Sequence, residues 1–111
     1  MGLKTKNYEV KEMGVVLPEA YAIIRETVTC GDKGFVKIAV HITRELAADK
    51  KVKPFEEVRV DFTVDRNAND RETAYKVAKG QRVRKEFNHG TKRLEDVVEN
   101  MPFYGWEDDI V

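Results

Sequence analysis

Ala20-Tyr21-Ala22-Ile23-Ile24-Arg25-Glu26-Thr27-Val28-Thr29-Cys30, then Gly31-Asp32-Lys33-Gly34, then Phe35-Val36-Lys37-Ile38-Ala39-Val40-His41-Ile42-Thr43, is the stretch on which the fold turns. In its first part Ala22, Ile24, Val28 and Cys30 share one face, interrupted by Glu26. Tyr21, Ile23, Arg25, Thr27 and Thr29 share the other. A period of two among β-branched residues is the pattern of a strand. The two glycines of the middle part supply the positive φ that a tight reversal needs. In the last part Val36, Ile38, Val40 and Ile42 alternate with Lys37, Ala39, His41 and Thr43. The stretch therefore predicts a β-hairpin of residues 20–30 and 34–43.

Outward from this hairpin, residues 44–53 are polar and suit a loop or one helical turn, closed by Pro54. Val58, Val60, Phe62 and Val64 then alternate with Glu57, Arg59, Asp61 and Thr63, predicting a third strand over 56–64 with one apolar face. Asn69 or Asp70 is placed to cap a helix carrying Thr73 to Lys79, with Ala74, Val77 and Ala78 on one face and Gly80 as its stop. Residues 81–90 are basic and end in the turn Asn88-His89-Gly90. Leu94, Val97, Val98 and Met101 have helical spacing. With Thr91 as cap and Pro102 as stop, they predict a second helix over 92–101 with Glu95, Asp96 and Glu99 toward water. On the N-terminal side, Val15-Val16-Leu17 runs into Pro18, and residues 1–14 are polar enough for a mobile arm or a short edge strand. The expected fold class is α+β: a three-stranded antiparallel β-meander with two short C-terminal helices packed on one face. Residues 15–111 are expected to form a single domain.

Composition narrows the function. Charged residues are 36 % of the 111 and apolar residues 41 %, with 20 Lys+Arg against 20 Asp+Glu. The core is therefore expected to be thin, which favours an oligomer or a partner. No run of about 18 apolar residues suggests a membrane span. The N-terminus lacks a signal stretch, and Lys6 stands where myristoylation needs Ser or Thr. One cysteine, Cys30, allows no internal disulfide or thiolate metal site. His41, on the polar side of its strand, reads as a surface histidine, and neither it nor His89 has metal or triad spacing. Glu107-Asp108-Asp109 reads as a solvated tail rather than a cation loop, and Glu9-Val10-Lys11 as a chance match to a nuclease motif. With no glycine-rich phosphate loop or hydrolase motif, the expectation is a non-enzyme, with no cofactor, metal or small-molecule substrate.

Charge and aromatics are unevenly placed. Residues 76–93 carry seven bases (Lys76, Lys79, Arg82, Arg84, Lys85, Lys92, Arg93) and one acid, Glu86, for a net +6. Residues 94–111 carry six acids (Glu95, Asp96, Glu99, Glu107, Asp108, Asp109) and no base, for a net −6. The basic block could meet nucleic-acid phosphates, or it could receive the acidic tail of a neighbouring subunit. The third reading is that the two blocks neutralise each other within one fold. Pro102-Phe103-Tyr104-Gly105-Trp106 either plugs the open end of the sheet or anchors a partner. The candidate interaction surface is accordingly Lys76, Lys79, Arg82, Arg84, Lys85, Arg93, Phe103, Tyr104, Trp106, Asp108 and Asp109.

Three short motifs carry a resemblance: Leu17-Pro18-Glu19-Ala20-Tyr21 leading into a strand, Thr73-Ala74-Tyr75-Lys76 on a helix after the last long strand, and a Pro-aromatic acidic C-terminus from Pro102 to Val111. In these the chain resembles small proteins of tailed bacteriophages and prophages of Gram-positive bacteria, of the tail or structural-region type. It departs from them in the long basic stretch 81–93. The resemblance implies a virion structural or assembly protein whose partners are itself or other virion proteins. It would act in the host cytoplasm during assembly or within the virion, with no catalytic residues to carry over. The alternative is a nucleic-acid-binding accessory protein using residues 76–93.

Overall fold

The computed structural model describes residues 2–10 and 14–109. The elements run β1 (Gly2–Val10), β2 (Val15–Cys30), β3 (Lys33–His41), α1 (Arg44–Ala48), β4 (Glu56–Thr63), α2 (Asp70–Ala78), β5 (Gln81–Asn88), β6 (Arg93–Asn100) and β7 (Glu107–Asp109). Among the described residues they build two antiparallel sheets, one of five strands in the order β4-β3-β2-β1-β7 and one of two, β5-β6. This replaces the expected α+β meander with two C-terminal helices. The three strands over 20–30, 34–43 and 56–64 pair as neighbours, but they are three of five.

Two regions account for the difference. Residues 92–101 are not a helix: residues 93–100 are β6, paired residue for residue with β5. The spacing Leu94/Val98 satisfies both periods, and the hairpin offers cross-strand partners that a lone helix would forgo: Val83 with Val98, Phe87 with Leu94, Lys85 with Asp96. Thr91 caps nothing, and its hydroxyl donates instead to Glu95 at 2.8 Å. The second region is the N-terminus, where β1 is a full strand lying between β2 and β7. β7 covers it only at Gly2, Leu3 and Lys4, so the rest of its outer side is an edge. Residues 11–13, with Lys11 of the nuclease-like match, lie outside the described residues. So do Met1 and the apolar end Ile110-Val111.

The helix after the third strand is α2, capped by the Asn69 side chain, which accepts the Arg71 N–H. The polar 44–53 segment forms α1, capped by Thr43. The main core lies on the sheet face that carries Leu3, Ala22, Ile24, Val36, Ile38, Val40, Val60 and Phe62, under Ala74, Tyr75 and Ala78 of α2. Ile42, expected in this core, is exposed. Gly34 sits across from Phe62, and a Cβ there would lie 2.8 Å from Phe62 Cζ, so the ring packs directly on bare backbone.

The register between β2 and β3 shifts between Ile24 and Glu26, leaving Arg25 as an extra residue. At that bulge the Ile24 N–H donates to the Tyr75 hydroxyl at 2.8 Å, and Arg71 donates to the Ile24 carbonyl at 3.3 Å. α2 is thus bonded to the irregular point of the sheet.

Candidate interaction surface

β5 and β6 stand out from this body as a two-stranded arm. It is rooted by backbone bonds from Met101 N–H to Gly80 C=O (3.1 Å) and from Phe103 N–H to Ala78 C=O (3.0 Å). At its tip Lys92 takes φ +57 and its N–H donates to Asn88 C=O at 2.7 Å, closing the turn. Every residue of β5 is exposed, and in β6 only Val97 and Glu99 are half-buried. One face of the arm holds Val83 (60 % exposed), Phe87 (47 %), Leu94 (67 %) and Val98 (57 %) around the Lys85–Asp96 ion pair. Sequence reasoning missed this face by assigning Leu94 and Val98 to a buried helical stripe. The available signal was the alternation of Val83 and Phe87 with Arg82, Arg84 and Glu86 before an Asn-His-Gly turn.

The opposite charges meet within the chain. Arg82 Nε bonds Glu99 at 2.8 Å, Arg84 Nε bonds the same carboxylate at 3.2 Å, and Lys85 pairs with Asp96 at 2.5 Å. The Arg82 hydrogen bond holds Glu99 below the usual carboxylate range. Hydrogen bonds from Asn88 and Thr91 do the same for Glu95. Lys79 pairs with Asp108 at 2.5 Å and Arg44 with Asp109 at 3.2 Å. Lys76 and Arg93 make no ion pair among the described residues. Such exposed pairs are individually weak, so they set register more than stability.

The aromatic tail divides. Phe103 (2 % exposed) and Trp106 (9 %) are buried in the main core, edge to face at 4.9 Å, with Tyr8 on the other side of the indole at 5.4 Å. Tyr104 between them is exposed. Phe103 and Trp106 are therefore not presented to a partner in this conformation, while Tyr104 is.

Two further places bring chemistry-bearing side chains together. A cleft of about 690 Å³ between β1, the start of α1 and β7 is lined by Lys4, Lys6 and Arg44 against Glu19, Glu107 and Asp109, three bases against three acids. Asp109 there is paired with Arg44, and burial first, then the Asp109 charge, pushes the Tyr21 phenol up. His41 is the second place. It is 2 % exposed, not on the surface, because α1, whose Ala47 is fully buried, packs against β3. Its Nε2 lies 3.2 Å from Arg25 Nη2, which also donates to Ala47 C=O at 2.7 Å. Burial, then the Arg25 charge, lowers the His41 pKa. An unfolded chain therefore takes up a proton near pH 6.5 that the folded chain refuses, so stability should fall as the pH drops below about 7. Denaturant midpoints at pH 8 and pH 5.5 should differ for the wild type and differ less for His41→Gln; equal slopes would exclude His41 as the source.

Among the described residues no group of three or more His, Cys, Asp or Glu is placed to hold a metal ion, and no helix is long and apolar enough to cross a membrane. No family model matches the chain, and no curated protein or solved structure is significantly similar to it.

Proposed function

We propose that this chain is a non-enzymatic structural or assembly protein that works through protein–protein contacts made by the arm. The observation that carries this reading is the exposed apolar face of Val83, Phe87, Leu94 and Val98 on a ribbon that projects from its own core. A two-stranded ribbon is marginal alone in water, and an apolar face of this kind favours a contact that covers it. The resemblance of the Leu17-Pro18-Glu19-Ala20-Tyr21 and C-terminal motifs to tailed-phage proteins supplies the setting, a virion or its assembly in the host cytoplasm. The nucleic-acid alternative is disfavoured because Lys79, Arg82, Arg84 and Lys85 already face Asp108, Glu99 and Asp96. Phosphate binding would have to break those pairs.

A photoreactive phenylalanine analogue at position 87, irradiated in the producing cells, tests the reading. Adducts that protease degrades and nuclease leaves intact are the expected result. Nuclease-sensitive adducts, or none, would overturn it.

A further inference from the structure

The arm also has a complementary surface on its own chain. β4 is the end strand of the five-stranded sheet, and β5 has one side bonded to β6 and the other open. Both strands are eight residues long. β4 carries Glu56, Glu57 and Asp61 against Arg59, a net −2, and β5 carries Arg82, Arg84 and Lys85 against Glu86, a net +2. β6, with Arg93 against Glu95, Asp96 and Glu99, is itself a net −2, so charge favours β5 and not β6 beside β4. β4 has no proline and no register shift against β3, two of the devices that blunt a sheet edge.

One antiparallel register pairs opposite charges on one face and apolar residues at two of three positions on the other, where Lys85 falls opposite Val60. Setting Asp61 opposite Arg84 also sets Arg59 opposite Glu86, so the Arg59–Asp61 and Arg84–Glu86 pairs made along each strand are exchanged for pairs across the strands, and no charge of the four is left without a partner. On the other face the same alignment puts Phe62 opposite Val83 and Val58 opposite Phe87. A shift of two residues would instead put Arg59 against Arg84 and Glu57 against Glu86.

The arm does not occupy this edge in its own chain. A cleft of about 570 Å³, lined by Asp61, Val77, Arg82 and Met101, separates its root from β4, and the Met101–Gly80 and Phe103–Ala78 bonds fix that root. We propose that two copies exchange arms, β5 of each adding antiparallel to β4 of the other in the Asp61–Arg84 register. This rests on the arm being the contact surface and names its partner as a second copy. Exchange between identical chains closes on a two-fold axis and gives each two-stranded arm a third strand.

The test mixes two variants, both carrying Cys30→Ser to remove the exposed thiol. One adds Asp61→Cys and the other Arg84→Cys. Mild oxidation should give a covalent dimer in the mixture at least about tenfold more abundantly than in either variant alone, because only the proposed register brings those Cβ atoms to bonding distance. Arg59→Cys mixed with Arg84→Cys, off register by two, should fall back to the level of the single variants. Absence of the mixed disulfide overturns the exchange. So does an intrachain disulfide at monomer mass in a third variant that carries both Asp61→Cys and Arg84→Cys in one chain, which would mean that the arm closes on its own β4. If the position-87 analogue still forms adducts with a different polypeptide, the arm remains a contact surface and only the second copy is excluded.

Discussion

A chain stopped after Pro102 is expected not to fold. Phe103 and Trp106 are separated from the helix α2 by the whole β5–β6 hairpin and from β1 by most of the chain, yet both are buried in the core those elements form. Truncating one such aromatic to alanine costs about 3–5 kcal/mol. Losing both, together with β7 and the Lys79–Asp108 pair, is comparable with the whole stability of a domain, about 5–15 kcal/mol. Circular dichroism and thermal melting decide it, and a cooperative transition in the truncated chain would place the tail outside the core. Phe103→Ala alone should lower the urea midpoint by an amount equivalent to about 3–5 kcal/mol.

Tyr75→Ala should be of similar size, again about 3–5 kcal/mol, because it empties the centre of the contact between α2 and the sheet. Tyr75→Phe separates the ring from the hydroxyl. It keeps the volume and removes the acceptor of the Ile24 N–H, which lies in a buried part of β2 where the ladder is irregular. A buried donor left unsatisfied costs about 1–3 kcal/mol. A silent Tyr75→Phe in urea melts would show that the Ile24 N–H finds another acceptor. Arg71, which holds the Ile24 carbonyl from the same helix, makes the pair of bonds a clamp on the bulge.

How far the sequence could be read depends on how many structures one pattern fits. Val36, Ile38 and Val40 alternate with no competing period, and they lie in the core with Val60 and Phe62 as alternation requires. Leu94, Val97, Val98 and Met101 fit a helix at three- and four-residue steps, and Leu94 and Val98 fit a strand face equally well. The tie is broken by residues 81–88, whose own alternation was masked by their charge. His41 shows a different limit. Its neighbours in sequence mark its side of β3 as polar, but α1 packs against β3, and nothing local in β3 announces a covering helix. The two readings of the aromatic tail differed only in tertiary placement, which composition does not encode. The candidate surface was legible in its charges and illegible in its apolar half for the same reason as β6.

The pairing of β7 with β1 sets Gly2 opposite Asp109, the two ends of the described chain side by side. During synthesis β1 emerges before the elements it packs with and finds β2 at once, since a hairpin partner follows within a few residues. The indole that packs against Tyr8, and the strand that flanks Gly2, emerge about a hundred residues after β1. The nascent chain can therefore form local hairpins while it grows, but it must wait for residues 103–109 before the core closes. Contacts of such long sequence separation slow folding and prolong the exposure of open edges. In a ribosome-bound chain stalled before Trp106, protease should cut β1, and it should cease to do so once synthesis resumes and Trp106 and β7 are added.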